Sequence, residues 1–274
     1  MLSMLTTAYA SYVPPGQIDN GSFTTFSLQT AWNPGTNTAR VGGFPAGGGA
    51  TWSIMGTGLS SYNDTYSVND PHVGTTVDMT SLGFTLSDIE TMINDAMNTW
   101  ANVSGFTNLG QVVEDHVDFG APEAGHVLGD IRIGAIGFDG SSGILAHGYQ
   151  PGNESIFGIG GSIAGDIHID SGETWKDCSI INCGSNEFDL ATVILHEVGH
   201  ALGLGHSTDA LSVMYPAYQG LNLTLGADDI AGIQAIYGPA SFGSTTTVPL
   251  PASGLLFISG LGVFGVFKRR VTKK

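Results

Sequence analysis

Between Ser87 and Trp100 the apolar residues Ile89, Met92, Ile93, Ala96, Met97 and Trp100 recur at intervals of three and four. Wound at roughly 3.6 residues per turn they fall on one face, so the pattern predicts an amphipathic helix. Ser87-Asp-Ile-Glu90 supplies the hydroxyl and acid of a capping box at its start. A period of two takes over in Ala50–Met55, Asp130–Gly134 and Gly165–Asp170, which read as strands. Leu190 to Leu204 reads as a second helix, and Asp228 to Tyr237 as a last one closed by Gly238. This succession predicts one α+β domain between the two chain ends. Residues 11–48 are rich in Gly, Pro and Thr, and 11–34 stay unassigned. There is no internal repeat.

The second helix carries chemistry. It reads His196-Glu197-Val198-Gly199-His200-Ala201-Leu202-Gly203-Leu204-Gly205-His206-Ser207. Histidines four apart on a helix stand one above the other, so His196 and His200 can share one metal ion. Gly203 lets the chain leave the helix, which allows His206 to return as a third ligand. Three protein ligands leave a fourth zinc position open for water, the catalytic rather than the structural arrangement. Glu197, beside the first ligand, is then the candidate general base. The competing reading is a helix with satisfied core histidines. Five fixed positions in a chain this short make that reading the weaker one.

Further along, Ser212-Val213-Met214-Tyr215-Pro216 places a methionine eight residues after His206, which resembles the Met-turn of the metzincin proteases. Ser207, Tyr215-Pro216 and Gly226-Ala-Asp-Asp-Ile-Ala-Gly-Ile-Gln-Ala-Ile-Tyr-Gly238 narrow the resemblance to the matrixins; Pro216 stands where astacins and serralysins tend to carry a zinc-binding tyrosine. The resemblance covers roughly residues 35–239 and implies a zincin-like α+β fold: a twisted mixed sheet, an active-site helix, the Met-turn with Met214 as apolar floor, and a C-terminal helix. It implies a zinc endopeptidase acting on proteins or peptides. Phe138-Asp139-Gly140-Ser-Ser-Gly-Ile144-Leu-Ala-His147 and His168-Ile-Asp170-Ser-Gly-Glu173 resemble the matrixin calcium loop and its facing strand. Asp139, Asp170 and Glu173 would supply carboxylates, and Gly140, Ser142 and Ile144 carbonyls. His147 and His168 match two of the four ligands of the family's structural zinc. No His or spare Asp lies between Asp130 and Asp139 to complete the set, so that site is expected to be empty. Substrate backbone would pair with an edge strand, Ile144 to His147, and Ala146, Pro216 and Tyr218 would border the substrate pocket. Cys178 and Cys183 would close a small disulfide in an exported protein, a reduced pair being the alternative.

Charge and the chain ends bear on location. The chain carries 24 acidic and 8 basic residues, a net charge of -16. Lys268, Arg269, Arg270, Lys273 and Lys274 are five of the eight bases, so residues 1–240 carry 24 acids against 3 bases. Such a body repels nucleic acid and anionic membrane and favours cations. Residues 1–10 end in Ala8-Tyr9-Ala10, which reads as the remnant of a signal peptide or as an ordinary terminus. Residues 240–247 read as a linker. In 248–274, Val-Pro-Leu-Pro-Ala, an apolar run and a basic cluster resemble a PEP-CTERM sorting signal, which implies an exosortase-type processing enzyme; a plain membrane anchor is the alternative. Together these imply an exported bacterial protein of the cell envelope or extracellular matrix, held transiently in the membrane by its C-terminus. Two rivals to the protease are a catalytically idle metal-binding module and a structural matrix component.

Overall fold

The computed structural model describes residues 17–19, 24–26, 30–34, 39–41, 43–60, 74–118, 121, 123–138, 140–152 and 163–240. The chain divides into two compact units at Ala240/Ser241, and every described residue belongs to the first. The predicted signal remnant (1–10), most of the linker and the 248–274 segment lie outside the described residues. Among the described residues no helix is long and apolar enough to cross a membrane.

Twelve short strands are described: β1 (Gln17–Asp19), β2 (Thr24–Phe26), β3 (Thr30–Trp32), β4 (Ala39–Val41), β5 (Gly48–Ile54), β6 (Thr76–Val77), β7 (Phe106–Gln111), β8 (Ile131–Ile136), β9 (Ala146–Gly148), β10 (Ile167–Asp170), β11 (Trp175–Lys176) and β12 (Phe188–Asp189). Three α-helices accompany them: α1 (Leu86–Val103), α2 (Leu190–Ala201) and α3 (Ala227–Tyr237). The main sheet runs β7-β5-β8-β10-β9, with β6 pairing β8 from the side. β7, β5, β8 and β10 are mutually parallel, and β9 closes the edge antiparallel to β10.

The alternation predicted for Asp130–Gly134 and Gly165–Asp170 is not what the strands show. Every residue of β8 and of β10 is buried. Parallel strands in the middle of a sheet are covered on both faces, so position along the strand no longer separates inside from outside. α1 begins at Leu86, and its capping box forms two residues earlier than predicted. Thr85 Oγ1 accepts the Asp88 N–H at 3.2 Å, and Asp88 Oδ2 accepts the Thr85 N–H at 3.1 Å. Ser87 therefore sits inside the first turn and Glu90 at the start of the second. The predicted apolar face of α1 is the buried one, with Met92 half-buried at its margin. Full burial of each such side chain contributes roughly 1.5–3 kcal/mol.

α2 is buried along nearly its whole length and packs on α1, where Trp100 Nε1 donates to the Leu195 carbonyl at 3.0 Å. β3 lies in the segment left unassigned by sequence, yet Trp32 is 2% exposed and its Nε1 donates to the Ala201 carbonyl at 2.9 Å. Tyr237 completes the lock: its Oη donates to the Leu202 carbonyl at 2.9 Å and accepts the Trp32 N–H at 3.2 Å. The packed domain thus reaches upstream of residue 35, and the end of α2 is held by both termini of the described body.

A charge cluster missing from the sequence reading lies under β8. Arg132 is 1% exposed and grips Glu114 with two hydrogen bonds of 2.9 Å, while Ser53 Oγ donates to the same carboxylate at 2.6 Å. Asp166 is fully buried with Oδ2 3.9 Å from Arg132 Nη1. Burial pushes the Asp166 carboxyl well above its ordinary value, against the pull of Arg132. Desolvation alone would lower Arg132, but Asp166 and Glu114 hold its guanidinium above its ordinary value. Replacing one partner of a buried pair strands the other, at a cost of about 3–5 kcal/mol. Arg132→Met is accordingly expected to destabilise the fold by about that amount in urea unfolding, and Glu114→Gln in the same chain should restore part of the loss. An unchanged unfolding midpoint for Arg132→Met would remove the cluster's structural role.

Candidate metal centre

α2 starts where Asp189, its N-cap, accepts the Thr192 N–H at 2.7 Å. It ends at Ala201, short of the predicted Leu204, because Gly203 takes φ 104°, a left-handed value that favours glycine. That turn swings Leu204 and His206 back over the helix end. His196 and His200 lie one turn apart, and their Nε2 atoms are 3.1 Å from each other; His200 Nε2 is 3.3 Å from His206 Nε2. His196, His200 and His206 form the one group of three or more potential metal ligands that converges among the described residues.

The hydrogen bonds at the opposite ring nitrogens fix how these rings present themselves. The Val213 carbonyl lies 2.6 Å from His196 Nδ1, and the Leu204 carbonyl 2.7 Å from His200 Nδ1. A carbonyl can only accept, so each Nδ1 carries the proton and each Nε2 presents its lone pair to the centre. Burial depresses all three imidazoles, His196 to about 4 and His206 to about 3. Neutral rings with converging lone pairs are the donor set that zinc takes, and the oriented Nδ1–H groups are its usual supporting shell.

Glu197 is fully buried beside His196, and neither carboxylate oxygen has a hydrogen-bond partner among the described residues. Desolvation pushes its carboxyl well above its ordinary value. A bare carboxylate in a dry interior is costly to keep unless something at the site uses it. β9 passes directly over it, since a Cβ on Gly148 would stand 3.2 Å from Glu197 Oε2. β9 covers Ala146–Gly148 rather than the predicted Ile144–His147, and it is the sheet edge as expected.

Met214 is 2% exposed and lies under α2, where Gly199 leaves room for it: a Cβ there would fall 2.3 Å from Met214 Sδ. The turn that carries Met214 is held by Asp229 of α3, a residue to which the sequence reading gave no role. Asp229 Oδ2 accepts the N–H groups of Val213 and Gly226, each at 2.8 Å, and Oδ1 accepts the Ser212 hydroxyl and the Met214 N–H. Because Val213 also supplies the carbonyl for His196, a single carboxylate positions the acceptor of a ligand imidazole. Ser207 Oγ is likewise bonded to Asp228. Two adjacent acids in the first turn of a helix were the available signal; their partners, 15 to 21 residues upstream, were not readable.

The remaining predicted residues fall as follows. Asp139 lies outside the described residues. Glu173 Oε1 accepts the N–H groups of Ser142 (2.6 Å) and Gly143 (3.2 Å), and Asp170 Oδ1 those of Phe138 (3.1 Å) and Gly172 (2.8 Å). The Gly140–Ile144 loop is therefore folded onto the two acids. His147 Nε2 and His168 Nδ1 are 2.8 Å apart, both rings buried, with Phe138 stacked on His147. No third His, Cys, Asp or Glu among the described residues converges on that pair. Cys178 and Cys183 are joined in a disulfide with Cα atoms 5.5 Å apart. A pocket next to His196 is lined by Tyr218 but not by Pro216 or Ala146. Pro216 bends the chain between Tyr215 and Ala217, which do line it, and Ala146 is buried within β9.

Asp229→Asn should weaken zinc binding by about 10–100-fold, the usual cost of losing a supporting group behind a ligand. Competition with a chromophoric chelator measures this, and wild-type zinc affinity would show that the Asp229–Val213–His196 chain does not orient the ligand.

With this geometry in view, comparison with known proteins is direct. Over 160 residues the chain is 41% identical to matrix metalloproteinase-18 of Xenopus laevis, covering 57% of this chain and 30% of that protein. It is 38% identical over 163 residues to the hatching enzyme of Paracentrotus lividus (59% and 24%), and 40% identical over 160 residues to the neutrophil collagenase of Homo sapiens (57% and 30%). The chain thus spans less than a third of the length of these relatives. The family model described as Matrixin (Peptidase_M10) matches residues 69–238, more than half of the chain and all of the site described above, and the chain belongs to the matrixin family.

Proposed function

We propose that this chain is an exported bacterial zinc endopeptidase that hydrolyses peptide bonds of extracellular proteins. Matrixins use catalytic zinc and structural calcium, and His196, His200 and His206 fit the zinc. The observation that carries the reading is the convergence of the His196, His200 and His206 imidazole nitrogens beside a buried carboxylate that has no hydrogen-bond partner among the described residues. His196, His200 and His206 hold the zinc. Bound zinc supplies the Lewis acid that activates water and polarises the scissile carbonyl. Glu197 takes a proton from the attacking water and returns it to the leaving amine. As the edge strand of the sheet, β9 offers backbone groups to an extended substrate, laying the scissile bond across α2. Met214 and Gly199 give the ligand helix a tight apolar floor.

Carboxylates of Asp139, Asp170 and Glu173 with carbonyls of Gly140, Ser142 and Ile144 hold calcium, which suits an oxygen-rich loop. His147 and His168 bond to each other and hold no second zinc. Residues 248–274 act as a sorting segment that engages the membrane and is removed by an exosortase-type enzyme.

Glu197→Ala is expected to keep zinc bound while lowering proteolysis by about 10²–10⁴-fold. Casein or gelatin zymography with and without chelator, together with metal analysis, checks both halves; near-normal cleavage by a zinc-loaded Glu197→Ala protein would end the general-base assignment. Mass spectrometry of the mature protein from its host should find no residues beyond about Pro251, close to the proline motif that processing would recognise. A C-terminus at Lys274 in the membrane fraction would mean a plain anchor.

A further inference from the structure

A groove with about 390 Å³ of space lies between α1 and α2, lined by none of the zinc-site residues. A space of that size takes a ligand-sized group. Part of its lining is apolar. Met92 and Ala96, one turn apart on α1, are joined there by Leu195 of α2 and by the exposed Leu223.

The rest of the lining has a definite hydrogen-bonding character. Thr91, Asp95 and Thr99 form a row along α1, each about one turn beyond the last. Both threonine hydroxyls spend their single hydrogen inside the helix. Thr91 Oγ1 donates to the Ser87 carbonyl at 2.8 Å, and Thr99 Oγ1 to the Asp95 carbonyl at 2.7 Å. Toward the groove these oxygens therefore only accept, as does the carboxylate of Asp95 between them. The row calls for a donor and for positive charge. No base of the described body supplies it: Arg40, Arg132 and Lys176 are the bases of residues 1–240, and none lines the groove.

An acidic body attracts cations in general, but this place sets a row of acceptors beside an apolar surface. A small cation makes no use of the apolar part, and an aliphatic group makes none of the row. Lysine and arginine use both, because their methylene stems cover apolar surface while the charged head reaches polar partners.

We propose that the groove binds a lysine or arginine side chain of a polypeptide, its stem along Met92, Ala96 and Leu195 and its head on Thr91, Asp95 and Thr99. Leu195 directly precedes His196, and Leu223 directly follows Asn222, which lines the pocket next to His196. A segment held in the groove thus lies near the cleft without entering it, and the polypeptide is a protein substrate gripped at a second place. That last step rests on the endopeptidase reading; the binding itself does not.

The test titrates the zinc-loaded full chain, its cleft blocked by a hydroxamate, with acetyl-Gly-Lys-Gly-amide and with the norleucine counterpart, which keeps a stem and lacks the charge. Backbone amide NMR follows both. The lysine peptide should shift the signals of Thr91, Asp95, Thr99 and Leu223, and should bind at least about fivefold more tightly than the norleucine peptide. Asp95→Asn should weaken its binding by about two- to fivefold, the size of an exposed charge pair. Leu223→Lys, which sets an ammonium into the groove from an exposed position, should weaken it as well. Equal binding of the two peptides, or shifts scattered over the acidic surface with none at these positions, overturns the site. On casein, Asp95→Asn should raise KM by about two- to fivefold with kcat unchanged, while a short fluorogenic peptide without lysine or arginine is cleaved as before. An unchanged KM for casein overturns the role in substrate capture and leaves the protease reading intact. An unaltered protein that cleaves neither casein nor the peptide overturns the endopeptidase reading and the capture role with it, and the titration then decides the binding site.

Discussion

Burial of α2 is the constraint on which the rest of the molecule depends. A helix closed off from water on nearly every side contains His196, Glu197 and His200, and each buried imidazole N–H must find an acceptor. The two acceptors, the carbonyls of Val213 and Leu204, lie beyond the helix, so the chain must fold back on it twice. The Gly203 turn makes the first return and delivers His206. The turn around Met214 makes the second, with Asp229 of α3 holding it. One line of hydrogen bonds therefore runs from the last helix to a ligand ring, and the metal-binding geometry is a property of the whole C-terminal half.

The sheet meets the same demand from the other side. β9 can approach Glu197 closely because Gly148 has no side chain, and β10 stands behind it with Asp170 and Glu173 at its end. Deeper in, β8 is buried throughout yet carries Arg132, paired with Glu114 and close to Asp166. The three basic residues of the acidic body are not spread over its surface. Arg132 is interior, and Arg40 donates to the carbonyls of Trp32, Gly47 and Ala46, which leaves Lys176. Several acids are buried as well, Glu114, Asp166, Glu197 and Asp229 among them, but exposed acids still outnumber the bases of the described body, a field that favours cations.

Much of this was legible in the residues. The spacing of His196, His200 and His206 required a helix followed by a turn at glycine, and Met214 fell at the distance a Met-turn needs. The period of α1 was clear because that helix has one wet face. Legibility failed where an element has no wet face or where a partner is distant. β8 and β10 read as alternating strands but are buried throughout. The capping box moved to Thr85 and Asp88, since several hydroxyl–acid pairs crowd one segment and packing selects among them. β3 lay in a stretch without pattern, although Trp32 anchors the end of α2.

What the sequence determined by itself was the inventory of the chemistry: three imidazoles, one carboxylate and a methionine, at spacings that permit one kind of centre. Those are local facts, set by helical periodicity and by where glycine lets the chain turn. Tertiary structure alone decided which ring nitrogen faces the centre, that Asp229 supports it, and that Arg132 compensates Glu114 and Asp166 in the interior. Each of these depends on hydrogen bonds between residues brought together from distant parts of the chain, and a buried polar group takes whatever partner the packing supplies, which spacing along the chain does not encode.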